Sequence, residues 1–273
     1  MNTALLALAR SIAVEAGELA ARRRREGVTV AATKSTIADI VTEADREVEQ
    51  LIRNRIADAR PEDGILGEEG GRSGGSTGVT WVVDPIDGTV NYLYGIPHYA
   101  VSIAVVEGDP DPTTWRALAG CVHNPATGET FTATDGGGAF ADDRQLRLGA
   151  PPPLELALIA TGFAYAADVR EQQGSVVARM LPRVRDIRRH GAAALDLCYV
   201  ADGRVDAYFE RTLSPWDHAA GGLVAREAGA VVKGRGDAAP TRDFILAAHP
   251  ELAAGLESLL DELDAFPELP PVE

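Results

Sequence analysis

Asp84-Pro85-Ile86-Asp87-Gly88-Thr89 sets two carboxylates three residues apart where a hydrophobic run, Trp81-Val82-Val83, stops. Pro85 has no N–H to continue a ladder and Gly88 relaxes the backbone, so a sharp turn is expected here. A turn from a strand end into a short helix, Thr89 to about Tyr94, leaves backbone N–H groups at Gly88 and Thr89 suited to a phosphate. Two carboxylates beside those donors would repel that phosphate unless cations intervened. Mg2+ resolves the conflict, being a hard ion that takes carboxylates, carbonyls, waters and phosphate oxygens at roughly 2.0–2.1 Å. The same residues would also make an ordinary Asp-Gly turn whose acids cap backbone groups.

Three further clusters share this ambiguity. Gly67-Glu68-Glu69-Gly70 follows the apolar Ile65-Leu66, and its adjacent acids either bridge cations or are merely solvated. In Asp39-Ile40-Val41-Thr42-Glu43-Ala44-Asp45, Thr42 and Asp45 stand three apart like a capping pair, and Asp39 could tie down the preceding turn. In Ser214-Pro215-Trp216-Asp217-His218-Ala219-Ala220-Gly221, Pro215 suits the first helical position, so Asp217 falls in the first turn, ready for a metal or for the helix dipole. Ala219, Ala220 and Gly221 allow close packing of that helix start against another backbone. His218 reads as a packing or hydrogen-bonding residue, because hard oxygen donors dominate the other clusters. Lys34 and Lys233 are the only lysines in an arginine-rich chain, which makes Lys34, close to the Asp45 cluster, a candidate too.

The composition sets these clusters in context. Across 273 residues, 26 Lys+Arg against 41 Asp+Glu leave a formal charge of −15, which argues against a nucleic-acid binder and against docking on anionic lipid. Hydrophobic residues at 45% and charged residues at 25% fit a globular chain with a sizeable core. Two cysteines, Cys121 and Cys198, form neither a disulfide framework nor a CxxC zinc motif, so a reducing cytoplasm is the expected location. The apolar stretch at residues 5–9 lacks a preceding basic residue and is not expected to be a signal peptide, and no run has the length of a membrane span.

The elements that must position the clusters follow from periodicity. Residues 3–25 read as an amphipathic helix ending in Arg22–Arg25, and a second helix runs from the Thr42 cap to about Ala59, with Val48, Leu51, Ile52 and Ile56 inward. Residues 70–78 read as a flexible loop. Thr80–Val83, Tyr99–Val106, Gly120–Asn124, Glu129–Ala133 and Gly138–Ala141 read as strands, the last three as an antiparallel meander linked by Gly, Pro and Asn turns. Pro151-Pro152-Pro153 is the best linker candidate. Beyond it, strands at Leu156–Thr161, Val205–Phe209 and Phe244–Ala248 alternate with helices at 170–182, 191–202, Pro215–Ala228 and Glu251–Leu263. The class is mixed α/β in layered subdomains, 1–150 and 151–273.

Taken together, the motifs resemble those of the inositol monophosphatase family, in its bacterial inositol-1-monophosphatase branch. The resemblance rests on Asp84 to Thr89 after Trp81, Gly67-Glu68-Glu69 upstream, Trp216 to Gly221 downstream, and Lys34 eleven residues before Asp45. It extends to Gly191–Cys198 and Gly203–Glu210, and runs from roughly residue 5 to residue 262. It implies the α-β-α-β-α sandwich of the sugar phosphatases, with the site between the subdomains. It implies two to three Mg2+ per subunit: one on Glu68, Asp84 and the Ile86 carbonyl, a second on Asp84, Asp87 and Asp217, and a looser third near Glu68 and Asp45. Asp45, Glu68 and Thr89 take the catalytic roles, Asp45 and Thr89 orienting the attacking water. Gly88 and Thr89 would hold the phosphate, while Asp87, Ala193, Glu210 and Asp217 would meet the substrate; Lys34 and Glu69 lie close by with no settled role.

The implied reaction is hydrolysis of myo-inositol 1-phosphate by direct attack of water, since no Ser, Cys or His nucleophile constellation is evident. Glu210 suits a polyol and an amine equally, so histidinol phosphate stays open, as do fructose 1,6-bisphosphate and 3′-phosphoadenosine nucleotides. A regulatory or scaffold protein on the same fold is the reading from another class; the complete set of acids argues for retained catalysis. Lithium sensitivity and a homodimer are further implications of the resemblance.

Overall fold

Apolar spacing of three and four along the first 26 residues buries Leu5, Ala9, Ile12, Ala16 and Leu19 on one face of helix α1 (Asn2–Glu26). The computed structural model describes residues 2–28, 30–33 and 40–269. After α1 come a hairpin of β1 (Val30–Thr33) and β2 (Ile40–Thr42), helix α2 (Glu43–Ala59), and strands β3 (Gly64–Gly67), β4 (Gly71–Ser73) and β5 (Val79–Asp87). A short helix α3 (Thr89–Tyr94) leads into β6 (Ala100–Glu107), β7 (Arg116–His123), β8 (Thr130–Thr134), β9 (Gly138–Ala141) and β10 (Arg144–Leu146). Past the triple proline lie β11 (Leu158–Thr161), α4 (Ala167–Met180), β12 (Asp186–Arg188), α5 (Ala193–Ala201) and β13 (Ala207–Glu210). The chain continues with α6 (Pro215–Glu227), β14 (Val231–Lys233), β15 (Ile245–Ala248) and α7 (Pro250–Glu262).

β1 and β2 pair only with each other, β3 to β10 form an eight-stranded sheet in the order β10-β9-β8-β7-β6-β5-β3-β4, and the later strands form a five-stranded sheet in the order β12-β11-β13-β15-β14. Side chains alternate across each sheet, and both faces are covered. Trp81, Val83, Ile103 and Val105 pack under α1 and α2, while Val82, Ala104, Val122 and Phe131 face Leu195 and Cys198 of α5 and Leu223 and Val224 of α6. The other side of that helix pair, through Leu197, Val200 and Ala225, meets Ala160, Tyr208, Ile245 and Ala247 of the second sheet. Val176 and Met180 of α4, with Leu252, Leu256 and Leu260 of α7, close its outer face. The result is an α-β-α-β-α sandwich, and its strands, buried on both faces, explain the continuous apolar runs in the sequence.

Several local expectations change. The strand expected at Thr80–Val83 does not stop there but runs through the acids to Asp87, and residues 70–78 contain β4, paired with β3. Lys34 and Asp39 lie outside the described residues. Among the described residues, no helix is long and apolar enough to cross a membrane.

Candidate active site

Strand register brings the acids together. β3 and β5 run parallel with Gly67 beside Val83, and the Glu68 N–H donates to the Val83 carbonyl at 3.2 Å, so the next step along each strand sets Glu68 beside Asp84. Buried Glu49 of α2 pins that turn, accepting from the Glu69 and Gly70 N–H groups at 2.7 and 2.8 Å while pairing with Arg53 at 2.7 Å. Opposite β6, the register of β5 slips: Asp84 faces Ser102 but Asp87 faces Ala100, three steps against two. This irregularity turns both aspartates inward, and the Ile86 N–H donates back to Asp84 Oδ1 at 3.0 Å. The Ser102 hydroxyl donates to the Trp216 carbonyl at 3.3 Å, which seats the start of α6 over the same point of the ladder.

Two helix starts then complete the cluster. Asp217 is the third residue of α6 and accepts from the Ser214 N–H through Oδ2 at 2.6 Å, half of a capping box. Asp87 Oδ2 accepts from the Ala194 N–H at 2.7 Å at the start of α5, next to Ala193. The two helices approach closely at Gly221, where a Cβ would lie 2.7 Å from the Ala194 carbonyl. One carboxylate oxygen from each of Asp84, Asp87 and Asp217 lies within 4.8 Å of the others, and Glu68 hydrogen-bonds to Asp84.

At that separation two ionised carboxylates repel by roughly 3.5 kcal/mol at an effective dielectric constant of about 20. Three such pairs approach the whole stability of a domain, about 5–15 kcal/mol, so the acids cannot all ionise without positive charge among them. Burial, then the charges of Glu68, Asp87 and Asp217, hold Asp84 well above the usual carboxylate range. Burial and Asp217 do the same to Asp87, against the Ala194 hydrogen bond. A crowded, buried set of oxygen donors fits a hard divalent cation such as Mg2+.

Asp45 serves two purposes at once. Its Oδ2 accepts from the Thr42 N–H at 2.8 Å and the Thr42 hydroxyl at 2.5 Å, capping α2. Its Oδ1 lies 3.3 Å from the Thr89 hydroxyl, which is also 3.1 Å from the Ile86 carbonyl. Burial pushes Asp45 up to about 7; the Thr42 bonds oppose this, and the charges of Glu68 and Glu69 add to it. Gly88, at φ +91°, begins α3 in the left-handed region, and a Cβ there would lie 3.1 Å from both the Gly191 and the His98 carbonyls.

Glu210 ends β13 on the α5 side. Its Oε2 accepts from the Tyr208 hydroxyl at 2.6 Å, and a Cβ on Gly162 would sit 1.9 Å from that oxygen. Burial pushes Glu210 up to about 7. His218 packs against Trp115 with ring centroids 6.1 Å apart, and its Nε2 has no hydrogen-bond partner among the described residues. Sequence reasoning missed Glu49, although a charged residue on the buried stripe of α2, between Val48 and Ile52, is the signal that could have found it. It also missed Asn91, whose amide donates to the His98 and His190 carbonyls at 2.7 Å each.

The sequence profile described as the inositol monophosphatase family matches residues 1–265. An inositol-1-monophosphatase of Mycobacterium leprae (strain TN) is 43% identical, covering 98% of this chain and 96% of that protein. A Nus factor SuhB of Vibrio cholerae is 40% identical over 84% of each chain. The crystal structure of the extragenic suppressor protein suhB from Bartonella henselae superimposes with a TM-score of 0.87 at 37% identity, covering 95% of this chain and 99% of that one.

Proposed function

This chain belongs to the inositol monophosphatase family and is a phosphatase, and from that premise we propose that it hydrolyses small phosphate monoesters, myo-inositol 1-phosphate foremost, with Mg2+ as cofactor. The observation that carries the reading is the carboxylate trio Asp84, Asp87 and Asp217, drawn together from one strand and one helix start. In this reading Glu68, Asp84 and the Ile86 carbonyl hold one Mg2+, and Asp84, Asp87 and Asp217 hold a second; a third lies near Glu68 and Asp45. When bound, the ions supply the positive charge that offsets the acids and the phosphate and make water more acidic.

The protein's own groups do the rest. The Thr89 O–H donates to Asp45 Oδ1, which leaves lone pairs on the Thr89 oxygen to accept a hydrogen bond from the attacking water and orient it, and the proton that the water loses passes through Thr89 to the Asp45 carboxylate. The Gly88 and Thr89 N–H groups hold the phosphate at the start of α3, and Asp87, the Ala193 backbone and Glu210 meet the alcohol. Water attacks directly in this scheme: both cysteines are buried, with burial pushing the Cys121 thiol up to about 12, so neither is an activated nucleophile. A monophosphate is favoured over a bisphosphate or nucleotide, because of the three arginines within residues 188–210, Arg188 is engaged by Asp186 at 2.6 Å and Arg204 by Asp202 at 2.7 Å and by Glu129, which leaves Arg189, whose charge acts on Glu210, as the one basic group of the three for a second phosphate.

Residues 1–150, with Asp45, Glu68, Asp84, Asp87 and Thr89, and residues 151–273, with Glu210 and Asp217, are taken as two subdomains that share the site. Lithium inhibition, a homodimer and a cytoplasmic location belong to the same proposal. The likeness to a protein named Nus factor SuhB supports a partner-binding role alongside catalysis, tested by whether Asp87→Asn protein retains the partners of the wild type. The test of the main reading is kcat/KM with Mg2+ for myo-inositol 1-phosphate, histidinol phosphate, fructose 1,6-bisphosphate and a 3′-phosphoadenosine nucleotide. The first should give the highest value and Asp87→Asn should abolish release; no activity on any phosphate monoester refutes the proposal.

A further inference from the structure

Beside the Gly88 turn, a second group of potential ligands converges that the hydrolytic scheme does not use. His98 lies in the loop between α3 and β6, His190 precedes α5, and Asp196 lies in the first turn of α5. One ligand-capable atom from each lies within 4.8 Å of the others. The imidazole rings of His98 and His190 are 4.9 Å apart between centroids and tilted by 30°. Tyr199 of α5 packs edge-on against both, at 5.4 and 5.8 Å. The backbone is fixed independently of these rings, because the Asn91 amide bonds the His98 and His190 carbonyls together.

Packing alone leaves two features unexplained. His98 Nε2 is buried and has no hydrogen-bond partner among the described residues, where a satisfied core histidine would have one. Asp196 is 1% exposed, and the side-chain group on its carboxylate is His190 Nδ1, at 2.5 Å. His98 is also in the ligating form: burial, and the neighbouring His190, push its basicity down to about 4, so its lone pair is available at neutral pH. The His190 side chain is 27% exposed, which gives an ion a way in.

We propose that His98, His190 and Asp196 form a binding site for Zn2+, or another divalent ion that prefers imidazole, separate from the carboxylate cluster. Two imidazoles and one carboxylate make a three-ligand set with an open fourth position. Imidazole nitrogen suits Zn2+, whereas carboxylates and waters suit Mg2+, so the chemistry of the donors sorts the two ions between the two sites. An ion with bonds of about 2.0–2.1 Å takes the place of the hydrogen bond between His190 Nδ1 and Asp196 once the two groups part to roughly 3 Å, with the imidazole N–H carried on Nε2. The bound ion would clamp the loop after α3 to the start of α5, across the close approach of Gly88 to the Gly191 carbonyl.

The test is independent of the proposed hydrolysis. Zn2+ is titrated calorimetrically into the full chain in excess Mg2+, with wild type compared with His190→Ser and His98→Asn, each first shown to melt cooperatively. The wild type should take up one more equivalent of Zn2+ than either variant. Co2+ loading should give a visible d–d absorption band in the wild type that both variants lack. No Zn2+ uptake by the Mg2+-saturated wild type, or retention of the extra equivalent by either folded variant, overturns the proposal.

Discussion

Asp84→Asn should make the metal-free protein more stable while destroying its response to Mg2+. The substitution is close to isosteric: Asn keeps an oxygen for the Ile86 N–H, which now lies 3.0 Å from Asp84 Oδ1, and adds an N–H that can donate to Glu68. It removes one charge from a trio lying within 4.8 Å, where each ionised pair costs roughly 3.5 kcal/mol. Protonation of the cluster relieves most of that repulsion in the wild type, so a net gain of at least about 1 kcal/mol is expected at pH 8. For chains of about 150–250 residues this amounts to a rise of roughly 2–4 °C in Tm, slightly less here. Mg2+ acts in the opposite sense. An ion at a hundredfold excess over its Kd adds about 2.7 kcal/mol to the wild type and nothing to a variant lacking the ligand shared by both ions. Calorimetric melting at pH 8 should therefore cross over, Asp84→Asn melting above wild type in chelator and below it in Mg2+. A variant that melts below wild type in chelator, or gains as much from Mg2+, refutes the account of a cluster whose ionised carboxylates repel one another until cations offset them.

The remaining predictions concern the water, the alcohol and the proton. Thr89→Ala should lower kcat by about 10²-fold or more, in the range for a lost proton-handling group, while Thr89→Ser keeps most of it; steady-state kinetics with the two variants decide this, and equal rates would remove Thr89 from the mechanism. Gly162→Ala should displace the Glu210 carboxylate, since its Cβ would fall 1.9 Å from Oε2, and so raise KM for a polyol phosphate more than it lowers kcat. The pH dependence follows from Asp45 and Glu210, both held at about 7 against ordinary values of 3.8 and 4.5. Their folded forms keep protons that the unfolded chain has lost, so between about pH 4 and pH 7 stability falls as pH rises. Metal-free protein should thus melt higher at pH 6 than at pH 8; the reverse order would contradict the burial of these carboxylates.

What could be read from the sequence was local. Helical spacing in α1 and α2, alternation and apolar runs in the longer strands, and the capping pairs Thr42/Asp45 and Ser214/Asp217 each depend on residues a few positions apart. The small residues at Ala219–Gly221 marked a close helix contact, which is made against α5. Elements of three or four residues, such as β2, β4, β12 and β14, are too short to show a period and exist because a neighbouring strand pairs with them. The slip in register that turns Asp84 and Asp87 inward belongs to the β5–β6 pairing and not to the motif alone. Asn91 and His190 are 99 residues apart, and no local pattern announces that an amide will join them. Asp45 was legible as a cap and as a site residue, and the structure gives one oxygen to each purpose.

The central claim is tested most directly by phosphate release from myo-inositol 1-phosphate, measured on chelator-treated protein as Mg2+ is restored. The account predicts no release in chelator, a saturable rise with Mg2+ in the wild type, and none at any Mg2+ concentration in Asp87→Asn. Undiminished release in the presence of chelator, or an Asp87→Asn protein as active as the wild type, would contradict it.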